Sequence, residues 1–199
     1  MNSSIKPTRP GQLDQESESH QGHLYYVIGA SGVGKDSLLN YARPLLSHAP
    51  VILAHRYITR PVELKGENHI SLSDVEFLNR QQYGCFLFTW QNHGLHYGIG
   101  LEVQNWLDKG LNVVVNGSRG YLPEAMLRMP NLRPVLITVA LDKLKSRLEQ
   151  RGRESAEQIR ERLQRATEFP ELNHPNLVTI PNDGELAIAG QQLVSVLQQ

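Results

Sequence analysis

In the stretch GASGVGKDS, residues 29–37, the residue types and their spacing point to one kind of chemistry, the gripping of a phosphate chain. Gly29, Gly34 and Lys35 have G-x-x-x-x-G-K spacing, in which a glycine-rich turn aims backbone N–H groups at phosphate oxygens. Glycine tolerates the backbone angles that let Ala30, Ser31, Gly32 and Val33 wrap an anion. A helix opening directly behind the loop adds its positive end. Lys35 brings a mobile ammonium within reach of the β- and γ-phosphates. The eighth position, where serine or threonine usually offers a hydroxyl to Mg²⁺, holds Asp36, and Ser37 follows one residue late.

A carboxylate at that position needs a physical reason. In a helix's first turn an acid gains about 0.3–1 kcal/mol from the macrodipole. Two unit charges ~4 Å apart interact by about 4 kcal/mol at an effective dielectric near 20. Beside a triphosphate the repulsion therefore outweighs the helix-end benefit, unless a divalent cation lies between the groups. Mg²⁺ accepts a carboxylate or two, phosphate oxygens and waters. The expectation is ATP as ligand, Mg²⁺ as cofactor, and Asp36 on the metal directly or through water. Sites of this kind usually carry an acid at the end of a neighbouring strand. Here the run VVV ends in Asn116-Gly117-Ser118, so the charge missing there is expected to have moved to Asp36.

The elements that must position these residues follow from the hydrophobic pattern. HLYYVIGA reads as a buried strand delivering the chain into the glycine loop. The helix behind it carries Leu38 and Leu39 inward and ends or kinks near Pro44. VILAHRYITR reads as one short strand running into a basic segment, followed by the polar loop PVELKGENH. Ser73 and Glu76 form a capping box that opens a short helix. CFLFTW is a strand, QNHGLHYGIG a turn-rich stretch, and EVQNWLDKG a helix stopped by Gly110. LNVVV and RPVLITVAL are further strands, and Pro123 suits a first helical turn. Residues 142–169 are helical with a break at 151–153, NLVTI is a last strand, and 184–198 a closing helix. Strands alternating with helices indicate an α/β fold, a parallel sheet with helices on both faces. In such a sheet ligands gather at the strands' carboxyl ends, where the glycine loop lies.

A length of 199 residues suits one domain with a small appended lid. Twenty basic and twenty acidic side chains give a formal net charge of zero, so no global field draws nucleic acid or an anionic membrane, and neither is expected as a partner. The single cysteine, Cys85, permits no internal disulfide and fits a reducing compartment. It is expected to be buried as a small apolar residue. No apolar run approaches the ~20 residues that span a bilayer, and residues 1–22 lack the core of a secretion signal. They read as a polar, flexible tail on a cytoplasmic protein. The oligomeric state is left open, with a homodimer among the options.

From Leu24 onward the chain resembles the guanylate-kinase branch of the nucleoside monophosphate kinases. The markers are IGASGVGKDSLL, RYITRP, GENH, G-C-F-L leading to HGLHYGI, LEQRGRESAEQIRERL and VTIPND, in that order. The resemblance implies a five-stranded parallel P-loop sheet, a substrate-binding flap over about 56–98 and an arginine lid over about 147–168. It also implies transfer of a phosphoryl group from ATP to an acceptor that is itself a phosphate. Three positions at which that branch reads guanine hold Arg56, Phe88 and His69 here. Phenylalanine cannot accept hydrogen bonds from guanine, and a site that loses such partners loses orders of magnitude in discrimination. GMP is therefore not the expected acceptor. The phosphate machinery remains: Arg60 matches the arginine on the acceptor phosphate, and Tyr97 the phosphate-contacting tyrosine. GKDSL, GENH, HGLHYGI and VNGSRGYLP together are similar to kinases of bacterial phosphonate breakdown. That similarity implies a phosphorylated sugar, ribose 1,5-bisphosphate, as acceptor and 5-phosphoribosyl 1-diphosphate as product. A nucleotide kinase of altered base choice and a non-catalytic interaction module are the competing readings, the second opposed by the intact Gly29, Gly34 and Lys35.

Arg147, Arg151, Arg153, Arg160, Arg162 and Arg165 crowd the helical segment. Arg151 and Arg162 match lid positions of the family and join Lys35 as the catalytic candidates. Arg160 and Arg165 read as a solvated face, with Glu161 and Arg165 at i,i+4 spacing. Arg56, Arg60, His69, Tyr97, Ser118 and Arg119 are the substrate-binding candidates, and Asn182 in PND resembles an adenine-pocket residue. His93 and His96 are expected as turn residues rather than metal ligands, and Trp90 and Trp106 as core.

Overall fold

The computed structural model of the protein describes residues 21–62, 67–152, 154–167 and 172–199. β1 (Leu24–Ile28) is buried along its whole length. Alternation sends Tyr25 and Val27 into one core and Leu24, Tyr26 and Ile28 into the other, one on each face of the sheet. α1 (Lys35–Leu45) follows the glycine loop, with Leu38 fully enclosed, Leu39 partly so, and Pro44 in the last turn. VILAHRYITR forms two strands rather than one, β2 (Val51–Leu53) and β3 (Arg56–Ile58), which belong to different sheets. β4 (Ile70–Ser71) precedes α2 (Asp74–Gln82), whose N-cap is Ser73. Ser73 Oγ accepts from the Glu76 N–H at 3.2 Å, as the capping pattern predicts.

β5 (Phe86–Asn92) and β6 (Leu95–Gly100) form a hairpin where the sequence reads as a strand and then a turn-rich stretch. Only His93 and Gly94 turn the chain, at φ 50° and 71°. Gly98 serves packing instead: a Cβ there would stand 2.7 Å from the Phe86 ring, so glycine lets that ring lie across the strand. Cys85 is exposed, against expectation. It lies on the turn that ends α2, its N–H donating to Arg80 O at 2.9 Å, one residue before β5 begins.

α3 (Glu102–Asp108), β7 (Asn112–Asn116), α4 (Leu122–Arg128), β8 (Arg133–Thr138), α5 (Leu141–Arg151), α6 (Ala156–Thr167), β9 (Val178–Pro181) and α7 (Leu186–Leu197) complete the chain close to the predicted bounds. Arg153 and the end of the predicted helix at 168–169 lie outside the described residues, as do 63–66 of the polar loop and all of the expected tail except its last two positions. Gly22, the last of these, donates its N–H to Leu107 O at 2.9 Å and so is tied to the fold.

Five strands form an all-parallel sheet in the order β2-β7-β1-β8-β9, with β1 in the centre. The second sheet, β4-β3-β6-β5, is mixed and carries α2. Among the described residues no helix is long and apolar enough to cross a membrane.

α7 closes against α1 through a glycine. A Cβ on Gly190 would stand 2.2 Å from the Tyr41 ring. Gly190→Ala gains up to about 1 kcal/mol of helix propensity, but overpacking of a close helix contact costs about 1–3 kcal/mol. The variant should therefore be less stable, read as a lower denaturant midpoint with an unchanged slope.

Candidate active site

The glycine loop is held from behind by the far edge of the sheet. Asn182, buried just after β9, donates its side-chain amide to Val33 O at 2.7 Å and its backbone N–H to Thr138 O at 2.8 Å. Arg147 of α5 donates to the same Val33 carbonyl at 3.3 Å and to Asn182 O at 2.7 Å. Gly34 enters α1 at φ 94°, a left-handed conformation, and any Cβ there would lie 2.6 Å from the Asn182 amide nitrogen. Glycine is thus required twice at this position, by backbone angle and by space. Arg147 and Asn182 shape the loop from outside the cavity in front of it.

Lys35 folds back over the loop, its Nζ donating to Gly29 O at 2.9 Å and Ala30 O at 3.3 Å. Desolvation lowers its pKa from the ordinary 10.5 to about 8, with Asp36 opposing the shift. Asp36 is fixed from the neighbouring strand: Asn116, the last residue of β7, donates its Nδ2 to Asp36 Oδ1 at 2.8 Å. The other side-chain atom of Asn116, Oδ1, is buried and accepts no hydrogen bond. The neutral residue at the strand end and the acid on the helix therefore form one unit.

The cavity in front of the loop has a volume of about 930 Å³. One wall is the glycine loop with Lys35, Asp36 and Ser37; another is Asn116 to Tyr121. Arg56, Trp90 and Tyr97 come from the second sheet, Arg60 from the loop after β3, and Arg151, Arg162 and Arg165 from α5 and α6. Among the described residues seven lining side chains are cationic, against one carboxylate, that of Asp36. Arg60 Nε is buried with no hydrogen-bond partner among them, an orphan donor suited to an anion. Arg119 donates to Arg165 O at 3.3 Å, and burial lowers its pKa from the usual value. Arg162 reaches Ser31 Oγ at 2.8 Å and pairs with Glu154 at 3.1 Å, which links α6 to the loop. Ser118 N–H donates to Tyr26 Oη at 3.1 Å, and burial raises the pKa of that phenol.

Most of the candidates read from the sequence meet here, with three exceptions. Val33 is buried behind the loop and takes part through its carbonyl. Asn182 likewise touches the loop rather than the cavity. His69 is enclosed, its Nδ1 2.9 Å from Glu67 O and its Nε2 3.1 Å from Arg60 O, so both ring nitrogens are engaged by backbone. It braces the segment between Arg60 and Glu67 rather than facing the cavity. Phe88 is fully buried against Tyr26 and Tyr121.

Other residues were missed in the sequence. Glu67 accepts both Nε and an NH₂ group of Arg56, so the Arg56 charge is matched on the spot. Trp90 and Tyr121 line the cavity as part of an aromatic wall, and Arg165 lines it while also pairing with Glu161 at 3.2 Å. The GENH and VNGSRGYLP markers contain two of these residues, Glu67 and Tyr121, but pairing across distant segments is not encoded in local spacing.

No protein-family model matches the chain. Its fold is that of the guanylate-kinase-like P-loop proteins: a guanylate kinase from Anaplasma phagocytophilum aligns with a TM-score of 0.64 over 90% of this chain and 86% of that one, at 14% identity. Sequence comparison is narrower. The chain is 60% identical over 178 residues to ribose 1,5-bisphosphate phosphokinase PhnN of Psychromonas ingrahamii, covering 89% of this chain and 91% of that one. It is 53% identical over 180 residues to the protein of the same name from Thiobacillus denitrificans, covering 89% and 93%. The chain belongs to the ribose 1,5-bisphosphate phosphokinase family.

The lysine supplies a pH test. The cost of burying the Lys35 charge is felt in full below pH about 8 and is relieved as pH rises toward 10.5, because the unfolded chain then holds a proton that the folded chain lacks. A polyphosphate laid against Lys35 favours the charged form. At pH about 9, MgATP binding should take up a proton, read by calorimetry in buffers of different ionisation enthalpy. Lys35→Met should abolish that uptake.

Proposed function

We propose that the chain transfers the γ-phosphoryl group of ATP to ribose 1,5-bisphosphate, giving 5-phosphoribosyl 1-diphosphate and ADP, in the cytoplasm as part of phosphonate breakdown. Family membership supports the reaction. The observation that carries it at the residue level is one cavity lined by the glycine loop with Lys35 and, among the described residues, by six arginines, matching two phosphate-rich substrates.

In this reading the amides of residues 29–34 and Lys35 hold the donor phosphates. Arg60, through its orphan Nε, and Tyr97 take an acceptor phosphate, with Arg56, Ser118 and Arg119 beside them. An ionised acceptor phosphate oxygen attacks the γ-phosphorus while the bond to the bridging oxygen breaks, and that electron pair leaves with ADP. The attacking oxygen carries no proton, so no general base is needed. Arg151 and Arg162 neutralise the charge that spreads over the transferring group. The second sheet, within about 56–98, acts as the acceptor flap, and α5 with α6, within about 147–168, as a lid whose closure excludes water. Asn182 acts on the nucleotide through the loop it props.

The residues fit Mg²⁺: a carboxylate fixed in place, a buried and unpartnered Asn116 Oδ1 beside it, and the Ser37 hydroxyl on the next residue. When bound, the ion would screen donor phosphate charge. The task of Asn116 is to aim Asp36. Asn116→Leu keeps the side-chain volume and removes that hydrogen bond. It should raise the Mg²⁺ concentration for half-maximal rate by about tenfold or more, with nucleotide binding in EDTA unchanged.

The reading is tested by incubating the protein with ATP, Mg²⁺ and ribose 1,5-bisphosphate and following ADP together with the phosphorus resonances of a sugar diphosphate. Both should appear, and Lys35→Ala should abolish them. Equal or faster turnover of GMP or dGMP would overturn the assignment.

A further inference from the structure

Trp90 stands in the middle of a stack that crosses the cavity wall. It is paired directly with Tyr97 across the β5–β6 ladder, with ring centroids 5.5 Å apart and planes 4° from parallel. Tyr121, from the segment entering α4, stacks on Trp90 at 5.7 Å and 28°. Tyr97 in turn carries the Arg56 guanidinium 5.2 Å from its ring centre. Arg56 closes the series, because two of its nitrogens donate to the two carboxylate oxygens of Glu67. Four side chains from four segments thus form one column, Arg56–Tyr97–Trp90–Tyr121, and all four line the cavity.

Reading a nucleobase takes a free π-face or unpaired polar groups at the base edge. This column offers little of either. Tyr97 and Tyr121 are stacked on Trp90, Tyr97 is capped by a cation, and two of that cation's nitrogens are engaged by a carboxylate. We propose that Trp90 is a specificity-determining residue that selects the acceptor by exclusion. Wedged in the column, its indole fills the space a base would need, so the cavity admits a base-free sugar phosphate and refuses nucleoside monophosphates. This rests on the sugar-bisphosphate reading and deepens it. It also gives Trp90 a role beyond filling the core, since the arginines of the cavity would take any phosphate without distinguishing what carries it.

The test compares wild type, Trp90→Ala and Trp90→Phe, with GMP as an inhibitor competing against ribose 1,5-bisphosphate at saturating ATP. In Trp90→Ala the GMP inhibition constant should fall by about tenfold or more relative to the KM for ribose 1,5-bisphosphate. Trp90→Phe, which keeps a stacked ring, should hold the wild-type ratio within about twofold. A merely structural role would lower stability in both variants and leave the ratio alone. An unchanged ratio in Trp90→Ala overturns the proposal, as does an equal fall in Trp90→Phe.

If Trp90→Ala does not fold, fluorescence decides. The chain has two tryptophans, and Trp106 lies in α3, so Trp106→Phe leaves Trp90 as the sole indole. Its emission should change saturably with ribose 1,5-bisphosphate, with half-saturation near the KM, and should not respond to GMP. No response to the bisphosphate, or an equal response to GMP, overturns the proposal. Failure of wild type to turn over ribose 1,5-bisphosphate instead sinks the functional reading on which the proposal stands.

Discussion

Positive charge concentrated in one place is the constraint around which the molecule is arranged. Lys35, Arg56, Arg60, Arg119, Arg151, Arg162 and Arg165 face one cavity, and like charges at such spacing repel by kilocalories once water is thinned out. The fold meets this in several local ways. Lys35 turns onto two carbonyls and has its pKa lowered. Arg56 is matched by Glu67, Arg162 by Glu154 and Arg165 by Glu161. Each neutralising group comes from outside the centre of the cavity, so the space between the cations is left for a ligand's anionic oxygens. Arg60 Nε is one donor there that is buried with no partner among the described residues.

The same economy explains Asp36. A carboxylate inside a cationic cavity reduces the self-repulsion of the empty site, and by itself would repel the donor phosphates. Fixing it through Asn116 rather than through an arginine leaves its charge available to a cation. A strand-end acid would occupy much the same region from β7; here the strand offers a neutral amide and the helix the charge. The hydrogen bond between them ties the strand end and the helix start into one unit.

Elements with strong local signals were readable from the sequence. The buried strands β1, β7 and β8, the Ser73 cap, the Gly110 stop and the break near Arg151 all depend on residues within a few positions of one another. The glycine loop was readable for the same reason. What escaped depends on contacts between distant segments. The hairpin at 86–100 was hidden because Gly98, which reads as a turn residue, makes room for an aromatic ring instead. His69 aligned with a ligand-facing position yet became a backbone brace, because Glu67 O and Arg60 O converge on it. Cys85 was misjudged from its average burial, which takes no account of a helix-ending turn.

The two sheets divide the work by their construction. The parallel sheet has both faces covered, so its loops are fixed by the core: Val33, Asn116 and Asn182 are buried at its carboxyl edge and leave the donor region little freedom. The second sheet presents to the cavity an aromatic stack and the Arg56–Glu67 pair, with Tyr121 reaching over from the segment that enters α4. Buried groups therefore hold the glycine loop, while the column Arg56–Tyr97–Trp90–Tyr121 is only half-buried. The chain keeps the fold of a guanylate kinase at 14% identity within a family named for a sugar bisphosphate. The two walls thus differ in how they are held: one is locked by backbone and core, the other by side chains packed on one another.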